Sequence, residues 1–104
     1  ALRNATQEVN HSDPRQKLWT NRDGSLVTSG QSYIDLMVGQ VSSPVRWDLC
    51  MESFTAAGVT GIIEVAPAGA LVGLAKRALK GIPTVAIKSP EDLTAARELI
   101  DSLA

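Results

Sequence analysis

His11, Ser12 and Asp13 stand side by side, and they are the residue types of a nucleophile–base–acid relay. Such a relay needs members that converge from different elements, so three neighbours on one loop do not make one. The trio reads as a surface loop, and Pro14 pushes Asp13 away from helical backbone. His11 is the only histidine and Cys50 the only cysteine. That excludes a metal-ligand spacing and an internal disulfide framework. Cys50 shares a helical face with Trp47, Met51, Phe54 and Ala57, a stripe that reads as core rather than as the surroundings of a nucleophile. There is no Gly-x-Ser-x-Gly elbow, no phosphate loop and no dinucleotide fingerprint. Neither a metal nor a bound cofactor is expected.

Three weaker signals remain. Gln40 falls on the apolar face of a helix, seven residues after Tyr33 and three after Met37. An amide there needs partners, because burying it unpaired costs about 1–3 kcal/mol. It either bonds local backbone or orients something across a cleft. The second signal is the turn Ala66-Pro67-Ala68-Gly69, whose small residues let backbone pack closely and whose N–H groups open a helix that could meet an anion. The third is Lys76-Arg77, a basic pair in the last turn of that helix, where cations also suit the helix dipole.

The elements that position these residues follow from local pattern. The 104 residues leave room for one small domain, which buries roughly two thirds of its unfolded surface. A hydrophobic content of 44% excludes wholesale disorder, and a formal charge of −1 offers no basic field for nucleic acid. No apolar run approaches the roughly 20 residues that span a bilayer. Ala1–Asn10 has the character of a helix tail. Lys17–Thr20 reads as a short strand, Asn21–Gly24 as a turn, and Leu26-Val27 as a short extended piece. A helix is predicted from about Gln31 to Gln40, with Tyr33, Ile34, Met37 and Val41 as its apolar face. Ser43-Pro44 has the form of a second helix start, running to about Ala57 and stopped by Gly58. Ile62, Ile63 and Val65 suggest a strand covered on both faces, followed by a helix from Ala70 to Leu79 that Lys80 and Gly81 close. Thr84–Ile87 is a further strand. Ser89-Pro90-Glu91-Asp92 starts a last helix with Leu93, Ala96, Ile100 and Leu103 as its buried stripe. Strands alternating with helices place the chain in the α/β class, with short, mostly parallel strands flanked by helices. In such folds the turn after a strand lies at the ligand-binding edge of the sheet.

Three stretches in register then resemble a known family. They are Thr20-Asn21-Arg22-Asp23-Gly24, Gln40-Val41-Ser42-Ser43-Pro44-Val45-Arg46-Trp47, and Gly58-Val59-Thr60 leading into Glu64–Arg77. Together they resemble the C-terminal part of malonyl-CoA:acyl-carrier-protein transacylases of the actinobacterial type. The resemblance covers about Lys17 to Leu93. It implies a segment of an α/β-hydrolase-like acyltransferase domain, with residues 1–104 as a single segment of its large domain. It implies malonyl-CoA as substrate, with the coenzyme A thioester and acyl carrier protein as partners. A serine takes the malonyl group and a histidine serves as its base. By register that serine, the histidine, a carboxylate-binding arginine and a ferredoxin-like insert fall before Ala1. The missing N-terminal part of the same enzyme is thus an expected partner, and the chain alone is expected to be inactive. Gln40 matches the residue whose carbonyl group orients the catalytic histidine. The Ala66–Leu71 turn, with Ala68 and Gly69 as its substrate-binding residues, matches a segment near the pantetheine entrance, and Lys76 and Arg77 match a pair that meets the carrier protein. A cytoplasmic location, no nucleic acid and no membrane span complete the expectation. The alternative is a stand-alone, non-catalytic α/β module that holds a phosphate-bearing ligand at Ala66–Gly69. Exposed apolar faces would favour the segment, and a closed core the module.

Overall fold

Gly58 and the Ser89 start punctuate this chain where the sequence places them, whereas the start at Ser43 and the packing between elements depart from expectation. The computed structural model describes residues 1–103. They form two compact units, residues 1–53 and residues 54–103.

The first unit holds α1 (Leu2–Gln7), β1 (Leu18–Trp19), β2 (Leu26–Val27), α2 (Gly30–Gln40) and most of α3 (Trp47–Ala56). The extended piece at Leu26-Val27 is a true strand. It pairs antiparallel with β1, Leu18 opposite Val27 and Trp19 opposite Leu26. Gly24 makes the reversal possible with φ of +75°, and its N–H donates to Thr20 O at 2.9 Å. α2 is capped twice. Ser29 Oγ accepts the Ser32 N–H at 3.1 Å, and Asp13 Oδ1 accepts the Gly30 N–H at 2.9 Å from seventeen positions away.

The predicted helix start at Ser43-Pro44 is not realised, since α3 begins at Trp47. The intended cap is occupied elsewhere: Ser43 Oγ donates to Gly39 O at 2.9 Å, back toward α2. The carbonyls of Ser43 and Pro44, which an α-helix would need for its own ladder, accept hydrogen bonds from Gln40 instead. α3 ends at Ala56 and Gly58 leaves it with φ of +74°. Cys50 is buried and Trp47, Met51 and Phe54 are half-buried, but Ala57 lies past the helix and is exposed.

The second unit is a β–α–β–α arrangement of β3 (Ile62–Val65), α4 (Ala70–Ala78), β4 (Thr84–Ile87) and α5 (Leu93–Leu103). β3 and β4 run parallel with Ile62 opposite Thr84 and Val65 opposite Ile87. α4 is the crossover that a parallel pair requires. Val72, Ala75 and Leu79, at helical spacing, supply its buried face. α4 ends at Ala78 with Leu79 as its C-cap, rather than at the predicted Lys80-Gly81, and Gly81 turns the chain beyond it with φ of +88°. The predicted start at Ser89 holds as a 3-10 turn over Pro90–Asp92 that leads into α5. There the Asp92 carboxylate accepts the Lys88 and Ser89 N–H groups at 2.9 and 3.2 Å. The α/β class therefore stands, with its longer pairing parallel.

Burial departs from the sequence reading on three faces. On α2, Tyr33, Met37 and Val41 are exposed. On α5, Leu93, Ile100 and Leu103 are exposed and only Ala96 is buried. In β3, Val65 is 71% exposed whereas Glu64 is buried, the reverse of a strand covered on both faces. Helical periodicity shows that a face is apolar, not that an element covers it.

Candidate functional site

Gln40 is the last residue of α2. Its Nε2 donates to Ser43 O at 3.1 Å and to Pro44 O at 3.0 Å. Both amide hydrogens are thus committed to the irregular 43–44 backbone, which fixes the plane and direction of the side chain. Its Oε1 is buried and has no hydrogen-bond partner among the described residues. An amide held by its donors, with an acceptor left unused, is a preorganised receptor for one N–H group. Leu36, Gly39 and Ser43 line a depression beside it, with Arg22 and Asp35 as its charged residues. The local-backbone reading of Gln40 thus describes its donor end, and the orienting reading fits its acceptor end.

The neighbouring candidates play structural parts. Cys50 is 2% exposed and its Sγ donates to Thr20 O at 3.5 Å. Burial pushes its thiol upward, with Asp23 and Asp48 adding to the shift, which suits an inert core cysteine. His11 is exposed, and Asp13 is engaged as the distant cap of α2 rather than with His11.

The second unit carries the other predicted residues. Ala68 and Gly69 precede α4, while Lys76 and Arg77 sit exposed in its last turn, about 10 Å along the axis. Arg77 Nε donates to Gly73 O at 3.4 Å, within its own helix. The N-terminus of α4 is already filled. Glu64 reaches across from β3, and its Oε1 accepts the Gly69 and Val72 N–H groups, each at 3.0 Å. Its Oε2 accepts the same Gly69 N–H at 3.2 Å and that of Leu71 at 3.3 Å. The anion that the turn was expected to attract from outside is supplied by the chain itself. A phosphate-bearing ligand would have to displace it.

Sequence reasoning passed over Glu64, which sits inside the run Ile-Ile-Glu-Val. The signal was its spacing: a single acid on a strand, five residues before the glycine that opens a helix. Hydrogen bonds from the Gly69 backbone, then from Val72 and Leu71, hold its carboxyl below the usual carboxylate range, and Lys88 adds to this. A lowered folded value means that its contribution is complete above the unfolded carboxylate range and is lost as pH falls through the folded value. The amide resonances of Gly69, Leu71 and Val72 should therefore move together in one transition below the ordinary glutamate range. Independent drifts would show that one carboxylate does not hold all three.

The comparisons with known proteins follow the same outline. No protein-family model matches the chain. It is 48% identical over 99 residues, 91% of its length, to a malonyl CoA-acyl carrier protein transacylase of Mycolicibacterium smegmatis, of which it covers 34%. It is 47% identical over 89 residues to the Mycobacterium tuberculosis protein of the same name, covering 86% of this chain and 30% of that one. The crystal structure of MCAT from Mycobacterium tuberculosis superimposes with a TM-score of 0.84 at 46% identity, over 92% of this chain and 31% of the other. The chain spans about a third of the length of the relatives it matches. With sequence and backbone in agreement, the chain is a homologue of the C-terminal portion of malonyl CoA-acyl carrier protein transacylases.

Proposed function

We propose that this chain forms the C-terminal part of an enzyme that moves malonyl from coenzyme A to the phosphopantetheine thiol of acyl carrier protein. The observation that carries this reading is Gln40, whose side-chain carbonyl is held in place with no hydrogen-bond partner among the described residues. In a relay built on serine and histidine, the base needs an acceptor on its second ring nitrogen to set tautomer and orientation. Gln40 fills that position with a neutral carbonyl in place of a carboxylate. The histidine and the nucleophilic serine come from a segment outside these 104 residues. The serine oxygen attacks the malonyl thioester carbonyl, and its proton passes through the histidine to the departing coenzyme A thiolate. The carrier-protein thiol then attacks the acyl-serine; the same histidine takes the thiol proton and returns it to the serine oxygen as the ester C–O bond breaks, which restores the free serine. On this reading the residues described here do not transfer malonyl alone, and the reaction belongs to the cytoplasm. The apolar faces exposed on α2 and α5 fit a segment that packs against further structure.

Lys76 and Arg77 supply the surface for an acidic carrier protein, and Ala68-Gly69 lies toward its pantetheine arm. The test is a chimera in which this chain replaces the matching third of the Mycolicibacterium smegmatis relative. The chimera should load malonyl from coenzyme A and pass it to carrier protein. Absence of both half-reactions in a folded chimera would overturn the reading. Changing Lys76→Glu and Arg77→Glu together should raise the carrier-protein KM by about tenfold and leave acyl loading from malonyl-CoA unchanged. Equal loss in the two half-reactions would rule out a docking role.

A further inference from the structure

Glu64 is the only charged side chain among the described residues that is buried, and the reaction outlined above does not use it. We propose that Glu64 is a positioning residue for thioester exchange: it acts through the Ala66–Gly69 turn, whose shape it sets. This inference rests on the transacylase reading of the chain.

The geometry supports a role beyond packing. A carboxylate in an interior is expensive unless every lone pair finds a donor. Here both oxygens are satisfied by backbone N–H groups at the positive end of a helix, the arrangement that most favours an anion. The donors come from both sides of one junction. Gly69 ends the turn, and Leu71 and Val72 belong to the first turn of α4. One side chain rooted in β3 therefore ties strand, turn and helix together. Gly69 itself has φ of +131°, a backbone conformation that side-chain-bearing residues rarely adopt, and Glu64 holds it there. Lys88, just past β4, brings its Nζ to 3.8 Å from where a Cβ on Gly69 would lie. The turn thus lies between an internal anion and an external cation.

Two consequences follow for a substrate that carries phosphates. First, the helix N-terminus is closed to them, because its donors are spent on Glu64. A coenzyme A or phosphopantetheine chain is directed past the turn instead of stopping on it. Second, the path of the turn, and with it the start of the helix that bears Lys76 and Arg77, depends on one carboxylate.

The test compares Glu64→Asp, Glu64→Gln and Glu64→Ala in the chimera described above. Glu64→Ala removes the internal anion and leaves its donors open. It should raise the KM for both malonyl-CoA and carrier protein by about tenfold to a hundredfold, with a smaller effect on kcat, since a misplaced turn misdirects substrate. Formate should restore the lost KM in Glu64→Ala with saturable dependence, and inorganic phosphate should inhibit this variant more strongly than the parent. Glu64→Gln presents an amide donor to backbone donors and should be impaired without formate rescue. Glu64→Asp should recover part of the loss. Thermal unfolding is measured alongside, and a variant that unfolds is refolded in formate. A loss of stability with KM unchanged in all three variants would overturn the proposal, as would KM defects that formate does not touch. If the unsubstituted chimera transfers no malonyl, the transacylase reading fails separately. The amides of Gly69, Leu71 and Val72 in Glu64→Ala then decide the present point. Formate-dependent recovery of their exchange protection upholds the hold on the turn, and its absence refutes it.

Discussion

Replacing Gln40 by alanine in the chimera is expected to slow malonyl transfer by about a hundredfold, through kcat, while KM for either substrate changes little. Removing the oriented carbonyl lets the histidine ring turn away from the serine. The loss then falls on every proton transfer in both half-reactions. In these 104 residues by themselves, where no histidine meets the carbonyl, the same change should be nearly silent in stability. It deletes two hydrogen bonds to Ser43 and Pro44, each worth about 1 kcal/mol net. It also deletes a buried acceptor that has no partner among the described residues, whose burial costs about 1–3 kcal/mol. The two contributions oppose each other, so the unfolding free energy should stay within about 1 kcal/mol of the parent. A folded variant with undiminished kcat would show that the backbone carbonyl of Gln40, not its side chain, meets the histidine. An equal fall in stability and activity would place Gln40 among residues that only support the 43–44 backbone.

The largest stability effect is expected at Gly24. A methyl group there would stand 2.5 Å from Leu49 O and 2.6 Å from Leu49 C. Those are backbone atoms of α3, fixed by the helix ladder, so they have no rotamer through which to yield. The residue also adopts φ of +75°, which adds about 1 kcal/mol for any residue with a Cβ. With a further 1–3 kcal/mol or so for overpacking, Gly24→Ala should cost about 2–4 kcal/mol. The midpoint of thermal unfolding should fall on the order of ten degrees. Gly73→Ala is the matched control. It lies inside α4 with nothing within 4 Å of the added carbon, and alanine is the better helix former by about 1 kcal/mol. It should hold or raise the midpoint. If the two variants unfold together, the close approach of the 20–25 turn to α3 does not contribute as described.

Local chemistry makes much of this fold legible in the sequence. Gly58 follows α3 where left-handed backbone is wanted, and Gly81 turns the chain shortly after α4. The acids at Glu91 and Asp92 open the last helix. These signals are short-range: a cap or a turn depends on a few neighbouring bonds, and the chain carries all of them. The start of α3 departs from the Ser43-Pro44 signal for a reason of the same scale. Ser43 and Pro44 have the composition of a helix start, but Gln40 and Gly39 draw their polar groups back to α2 first. Two good local solutions competed, and composition does not rank them.

Gln40 shows how far sequence goes for the candidate site. Its odd position marked it from periodicity, and the resemblance supplied a role. Its locked donors and unused acceptor were visible only in three dimensions. Glu64 lies at the other extreme. In sequence it interrupts an apolar strand. In the structure it is the buried anion at the head of α4. Residue order and spacing determined the elements, their boundaries to within a few residues, and the basic pair at the end of α4, because propensity and capping act over a single turn of chain. Which apolar faces are covered, and where a lone carboxylate finds three N–H partners, was decided by tertiary structure alone. Burial and electrostatic pairing depend on what a distant element brings close, and on this scale a glutamate beside apolar neighbours has the same sequence signature whether it faces water or a helix end.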